Sequence, residues 1–262
     1  MRISRYLLLI SGLFLLLAGL SGCTAIRGGI AALRSTSDFV ALDSDNRVLY
    51  EPGTEEFAKE IAGYLPDAIA TVEKEQYRPF AKPIIIYICA TKESFAAHTG
   101  FWEKTRGAVT TKLFLSPEMI KRIQDGSSAK MILTHEISHL HLYQRLGLFR
   151  DAKIPAWFKE GLAVMVSGGA PAVDVSESDA AKAIQSGECI KPDVSGSLLF
   201  PKFWHSYNLE PHMFYRQSGM FVAYMKRQDE AKFKMFMLSI ENGRNFGKSF
   251  SAAYGISIEK SW

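Results

Sequence analysis

Apolar side chains recur with the spacing of amphipathic helices over most of the chain after residue 50. From Phe57 to Val72 they lie three or four positions apart, and Pro66 inside this run predicts either a kink or a break between two helices. Ser116 is a suitable N-cap and Pro117 a suitable first helical residue, so another helix is predicted to begin at Ser116. Further helices are predicted over 91–98, 128–146, 155–167, 178–186, 215–227, 230–240 and 245–254.

Two short stretches instead carry the β-branched and aromatic residues that are typical of strands. Residues 83–90 form a continuous apolar run, which predicts a buried strand, and residues 108–115 alternate loosely, which predicts a second one. Helices therefore dominate and strands are few. The pattern predicts an α+β fold, in which a small sheet lies beside a mostly helical C-terminal lobe.

The first 22 residues have the pattern of an export signal. Arg2 and Arg5 precede an apolar stretch that ends in Leu20-Ser21-Gly22, directly before Cys23. This ending resembles the lipobox of bacterial lipoproteins, which implies cleavage before Cys23 and lipid attachment to that cysteine. The protein would then be anchored in the bacterial cell envelope, and Thr24 favours the outer membrane facing the periplasm. An uncleaved membrane-spanning anchor is the alternative, for which the stretch is short.

The rest of the chain predicts one folded domain without a strong charge. Residues 23–50 are interpreted as the lipidated cysteine and a tether, because Gly, Ala and Ser are frequent up to residue 40, and residues 51–262 as the domain. Two of the 31 Lys and Arg residues precede Cys23 and none of the 27 acidic residues does, so the net charge after it is 29 − 27 = +2. No basic run is interleaved with aromatic residues, so no nucleic-acid partner is predicted.

Two cysteines remain in the predicted domain, Cys89 and Cys189. In an exported protein they can pair as a disulfide, or they can stay as two free thiols. The sequence leaves both alternatives open, because it does not give the distance between their Cα atoms.

The candidate chemistry lies in the helix predicted over 128–146, which contains the pattern H-E-x-x-H at residues 135–139. His135 and His139 are four positions apart and share one helix face, so both imidazoles can bind one metal ion. Glu136 is rotated from His135 by about 100° and can take a proton from a water at that ion. These are the parts of a zinc hydrolase. A buried helix that carries two histidines by chance is the alternative.

A catalytic zinc site has three protein ligands and one open position, so a third ligand is needed. Glu160 is the candidate, because it lies at the start of the next predicted helix, and the intervening loop lets that helix lie beside the first. An acid in the first turn is also favoured by the helix dipole alone. A carboxylate partner for the second ring nitrogen of each histidine is expected as well.

The residues around Glu160 carry a resemblance to a known family. The segment Trp157-Phe-Lys-Glu-Gly-Leu-Ala163 is similar to the W-x-x-E-G-x-A signature of gluzincin metallopeptidases, the H-E-x-x-H…E class. Within that class the chain resembles the bacterial peptidase MA-like proteins most closely. The likeness extends over about residues 50–262. It includes a glycine-terminated helix at 180–187, a Y-x-Q-S segment at 215–218 and an ending similar to F-G-x-S-x-E at 250–262.

This resemblance implies a zincin-like fold, in which the strand before the motif helix lies along a substrate cleft. It implies that Zn²⁺ is bound by His135, His139 and Glu160, and that peptides or proteins are hydrolysed by a water that Glu136 activates. Tyr215 is the candidate group for hydrogen-bonding the oxyanion, since related enzymes use a Tyr or His from a downstream helix; a tyrosine that only packs on the core is the alternative.

Other readings of the same residues remain open. The chain can be a zinc-binding lipoprotein that acts as a non-catalytic binding or envelope-assembly factor, or a structural lipoprotein without a metal. The pattern predicts that His141, on the opposite side of the motif helix, is a packed or surface residue, and it assigns no role to the three remaining histidines (His98, His205 and His212).

Overall fold

The computed structural model describes residues 31, 33–100, 107–109, 112–119, 128–198 and 200–262. The predicted export signal, the lipidation at Cys23 and most of the helix predicted to open at Ser116 lie outside these residues. Within the described ranges, no helix has both the length and the apolar character needed to cross a membrane.

The described chain has an α+β fold, as the sequence predicts. Helices α1, α3 and α6 are the longest of the described helices, and the strands are short. In chain order the elements are β1 (Val40–Leu42), β2 (Asp45–Tyr50), α1 (Glu55–Glu75), β3 (Ile86–Ile88), α2 (Lys92–Thr99), β4 (Gly107–Val109), β5 (Leu113–Leu115), α3 (Ala129–Asp151), α4 (Ala156–Ser167), α5 (Glu177–Gln185), α6 (Pro211–Gln228), α7 (Glu230–Glu241), α8 (Phe246–Tyr254) and α9 (Ile258–Ser261).

The five described strands form one mixed sheet in the order β1-β2-β3-β5-β4. The three central strands β2, β3 and β5 run parallel, with Ile86 of β3 paired to Val48 on one side and to Leu113 on the other. The outer strands β1 and β4 are each antiparallel to their neighbour. β4 lies at the sheet edge and contacts α3, the helix that carries the motif.

Two predictions about the sheet are wrong. The single strand predicted over 108–115 is instead two strands, β4 and β5, which pair antiparallel with Val109 opposite Leu113. Residues 40–50, assigned above to the tether, form β1 and β2, so the folded part begins before residue 51. β2 mixes charged residues with its buried Val48, and its pairing with β3 stabilises it more than its own composition does. The strand predicted over 83–90 is the shorter β3.

The helices follow the predicted spans closely. α1 is one continuous helix through Pro66, and its N-cap is Thr54. Gly100, Gly168 and Gly255 end α2, α4 and α8 in the left-handed conformation that glycine adopts without strain. α3 is interrupted at Gly147, whose φ of 67° is not helical, and one further turn follows it.

The period-two alternation of the central strands divides the buried side chains between the two sheet faces. Ile86 and Ile88 of β3 point into the main core, together with side chains of α1, α3, α4 and the C-terminal helices. Tyr87 lies on the other face with Phe39, Phe95, Phe114 and Cys89, where a smaller aromatic cluster is covered by α2. Because the main core surrounds α3, the motif helix is held from several sides.

Candidate metal centre

The two motif histidines project from the middle of α3, as their spacing predicts. His135 is buried and His139 is partly buried, and their rings meet edge to face with centroids 4.8 Å apart. Their Nε2 atoms lie 3.1 Å from each other. A ring nitrogen of each residue therefore points at the same small volume.

Glu160 of α4 brings its carboxylate to that volume. Oε2 of Glu160 lies 3.4 Å from Nε2 of His135 and 3.3 Å from Nε2 of His139. Burial by itself raises the pKa of this carboxyl, but attraction to His139 and the hydrogen bonds to both imidazoles outweigh burial and hold the pKa of Glu160 below its ordinary value. The carboxylate is therefore ionised, and the three residues together could hold a metal ion.

Glu160 owes its position to the close packing of α4 against α6. A Cβ atom on Gly161 would lie 2.4 Å from the backbone oxygen of Ser218, and a Cβ on Gly219 would lie 2.5 Å from Cγ1 of Val164. Only glycine permits such an approach, because atoms of these types do not come so close in real structures. One turn before Glu160, the fully buried Trp157 fixes the start of α4, and its Nε1 donates to the backbone oxygen of Asp193 at 3.0 Å.

The three donor atoms suit a tetrahedral ion. Metal–ligand bonds of about 2.0–2.2 Å at tetrahedral angles separate neighbouring donors by about 3.3–3.6 Å. The observed separations of 3.1, 3.3 and 3.4 Å lie within a few tenths of an ångström of these values. Among the described residues, nothing hydrogen-bonds the buried Nδ1 of His135, so the carboxylate partner expected for that nitrogen is not found there.

The two remaining candidates lie on α3 and α6. Glu136 follows His135 on α3 and is partly exposed. Tyr215 of α6 lies with its ring centroid 6.4 Å from that of His135, at an interplanar angle of 86°. The structure thus brings His135, His139 and Glu160 together and places the Tyr215 ring beside His135.

The opposite side of α3 carries a second set of buried polar groups, which the sequence pattern does not reveal. His141 is packed, as predicted, and its Nε2 lies 2.9 Å from the backbone oxygen of Arg78. Its Nδ1 is 3.8 Å from Glu241 of α7, whose carboxylate also lies 3.7 Å from Arg145 and 3.5 Å from Arg78. Nearby, Ser138 accepts a hydrogen bond of 2.5 Å from the side chain of Gln76.

His98 and Cys89 lie with the aromatic cluster on the sheet face opposite the main core. His98 packs against Phe39 and Phe114 on the far face of the sheet. Cys89 is buried in the same cluster, and burial raises the pKa of its thiol to about 12. Both Cys89 and Cys189 are free thiols in this structure, so the disulfide left open by the sequence is not formed.

Neither similarity to protein families nor similarity to curated proteins identifies this chain. No family model matches the sequence. No curated protein matches it either.

Proposed function

We propose that this protein is a zinc-dependent metallopeptidase of the zincin type. The observation that carries the proposal is the convergence of His135, His139 and Glu160, whose donor atoms are 3.1–3.4 Å apart. Two imidazoles and one carboxylate are a ligand set that catalytic zinc sites use, and it leaves a fourth position for water or substrate. Mg²⁺ and Ca²⁺ prefer sites made of oxygen ligands, so the two nitrogens favour zinc.

The proposed chemistry is the addition of water to a peptide bond. Bound zinc would act as a Lewis acid, which polarises the scissile carbonyl and lowers the pKa of a water. Glu136 accepts a proton from the attacking water and later passes it to the leaving amine. The water oxygen forms the new C–O bond, the C–N bond breaks, and the products are a carboxylate and an amine.

Tyr215 is proposed to stabilise the charge that develops on the carbonyl oxygen. A phenol O–H that donates to an oxyanion stabilises the transition state more than the neutral substrate, which is what lowers a barrier. The support for this role is the position of the Tyr215 ring, 6.4 Å from the His135 ring. A group at that separation can reach a carbonyl next to the three donors.

The surrounding fold supports a substrate cleft beside the centre. β4 is an edge strand that contacts α3, so its outer backbone groups can pair with an extended peptide. The sequence contains no exopeptidase motif of the G-x-M-E-N type, so the proposal does not include aminopeptidase activity. At the N-terminus, the export signal and Cys23 support attachment to the bacterial envelope, with lipid as the anchor and the outer membrane facing the periplasm as the favoured site.

A Glu136→Gln substitution tests the proposed function. Glutamine is similar in size but cannot accept the proton, so we expect the variant to keep about one zinc per chain and to lose at least about a hundredfold in peptide hydrolysis. The measurement combines elemental analysis of the purified full chain with turnover of a peptide library, with and without a chelator.

Two outcomes would count against the proposal. Hydrolysis that persists in the Glu136→Gln variant would exclude the proposed proton transfer. Zinc bound by the native chain without chelator-sensitive hydrolysis of any peptide would instead favour the non-catalytic binding or assembly factor.

A further inference from the structure

Arg216 follows Tyr215 on α6 and holds a neighbouring segment of the chain. Its Nε donates to the backbone oxygen of Val175 at 2.7 Å, and its Nη2 donates to that of Ala172 at 2.9 Å. His212, one turn earlier on α6, contacts the same segment through Nδ1, which lies 2.7 Å from the backbone oxygen of Pro171. One edge of the guanidinium is therefore used to hold residues 171–175.

Nη1, the remaining nitrogen of the guanidinium, does not take part in holding residues 171–175. In the part of the chain that the structure describes, Nη1 of Arg216 makes no hydrogen bond or ion pair, and the side chain is partly exposed. A clamp on two carbonyl oxygens requires only Nε and Nη2. Two charge-bearing N–H donors thus remain available at Nη1.

The end of the guanidinium lies close to the face of α3 that carries His135. A Cβ atom built on Gly169 would lie 3.9 Å from both Nη1 and Nη2 of Arg216 and 3.9 Å from Cε of Met131. Met131 precedes His135 by one helical turn on the same face of α3. Gly169 has a φ of +121°, a conformation that favours glycine, so this position places no side chain between Arg216 and Met131.

The separation of Met131 and His135 along α3 indicates which part of a bound peptide Nη1 could contact. Four residues of helix correspond to about 6 Å, whereas an extended peptide advances about 3.3 Å per residue. A group near Met131 therefore lies one or two peptide residues from a bond that is held at His135. A guanidinium recognises carboxylates better than any other peptide group, because it offers charge and parallel donors together.

We propose that Nη1 of Arg216 binds a carboxylate of the substrate, one or two residues from the scissile bond. This inference rests on the proposed peptidase function and specifies its substrate class as peptides with an anionic group at that position. The carboxylate can be the free C-terminus of the peptide or the side chain of an aspartate or glutamate. Arg216 is thus a specificity-determining residue.

Binding to the zinc-loaded full-length Glu136→Gln variant tests this proposal without turnover. Peptides with otherwise identical neutral sequences are compared by calorimetry: one with a free C-terminal carboxylate, one with an amidated C-terminus, and a series of amidated peptides with a single aspartate at successive positions. We expect at least one carboxylate peptide to bind about tenfold or more tightly than the neutral amide, as a charge-assisted contact provides. The peptide that gains the affinity identifies the source of the carboxylate.

The same comparison with Arg216→Gln added separates recognition from a structural role. We expect the ratio of the dissociation constant of the neutral amide peptide to that of the carboxylate peptide to fall to near one. His212→Ala loosens the same 171–175 segment but keeps the cation, so both peptides should weaken alike and the ratio should persist. Arg227→Gln, an exposed arginine in the last turn of α6, should leave the ratio unchanged as a control for net charge.

Three results would overturn the proposal. They are an equal affinity for acid and amide peptides in the presence of Arg216, a preference that survives Arg216→Gln, and the absence of measurable binding by every peptide. The proposed function is judged separately, because it depends on chelator-sensitive hydrolysis by the native chain. Hydrolysis without a carboxylate preference would exclude the role of Arg216 and leave the peptidase intact.

Discussion

The two sides of α3 carry similar residues in different arrangements. On one side, His135 and His139 meet Glu160, and on the other, His141 meets Glu241. Both sets consist of histidine and glutamate in the protein interior. Only the first set points three donor atoms at one volume.

The arginines account for much of the difference. Glu241 has a side chain with 0% exposure and lies 3.5–3.7 Å from the guanidinium groups of Arg78 and Arg145. Those cations offset the charge of the Glu241 carboxylate. No Lys or Arg is ion-paired with Glu160 in the described residues, so its charge is available to a metal.

The protonation states of His141 and Glu241 also distinguish this side of α3 from the side with the three donors. Burial lowers the pKa of His141 to about 4, so its imidazole is neutral at pH 7 and its contact with Glu241 is not an ion pair. Burial raises the pKa of Glu241 to about 7, although Arg145 and Arg78 act against that rise. Glu160 is shifted in the opposite direction, below its ordinary pKa. Burial of His and Glu is therefore not sufficient for a metal site; convergence of unprotonated donors is required.

The largest expected difference between the two sides is in metal binding. His139→Gln removes one of three proposed ligands, so we expect zinc affinity to fall by at least about a hundredfold and the metal to be lost on dialysis, since even indirect partners of zinc ligands are worth about 10- to 100-fold. His141→Gln is the matched control, because glutamine can still donate to the backbone oxygen of Arg78. It should retain about one zinc per chain by elemental analysis. Equal zinc content in the two variants would remove the distinction between the two sides.

A smaller effect tests why Glu160 is held at the centre. Gly161→Ala places a methyl group 2.4 Å from the backbone oxygen of Ser218, so we expect a loss of about 1–3 kcal/mol in the free energy of unfolding and weaker zinc binding. Gly63→Ala lies on an exposed position of α1 with nothing within 4 Å, and it should gain about 0.5–1 kcal/mol. Denaturant unfolding of both variants measures the contrast. Equal stabilities would mean that the approach of α4 to α6 does not depend on glycine.

The smallest effect is the pH dependence that Glu241 introduces. Its pKa is raised to about 7 in the folded protein, so the folded state binds this proton more tightly than the unfolded state does. The resulting stabilisation is complete below the unfolded pKa and is lost as the pH rises through about 7. Between pH 6.5 and 8.5 we expect native stability to fall, relative to Glu241→Gln, by roughly 1 kcal/mol.

Denaturant unfolding of the two proteins at both pH values gives this difference. Contributions of titratable groups that lie far from Glu241 occur in both proteins and cancel in the comparison. Parallel pH profiles for the native protein and Glu241→Gln would show that this carboxyl does not titrate in the interval. Zinc content should be the same in both, because Glu241 lies on the side of α3 away from the three donors.

The sequence by itself determined the helices, the α+β class and the candidate site residues. Helix spacing, N-caps and terminal glycines are local features, so α2, α4 and α8 end where the pattern predicts. The four-residue spacing of His135 and His139 requires a shared helix face, whatever surrounds it. These predictions succeed because each depends only on residues near one another in the chain.

Only the tertiary structure decided which distant residues meet. β2 is stabilised by pairing with β3, in which Val48 lies opposite Ile86. Neither segment has a local sequence feature that predicts this pairing. The approach of Glu160 to the histidines depends on α6 packing against Gly161, and the encirclement of Glu241 by two arginines depends on α7. Such contacts are set by shape and burial across the whole core. Local sequence patterns identify the residues that could form a site, and long-range packing decides which of them do.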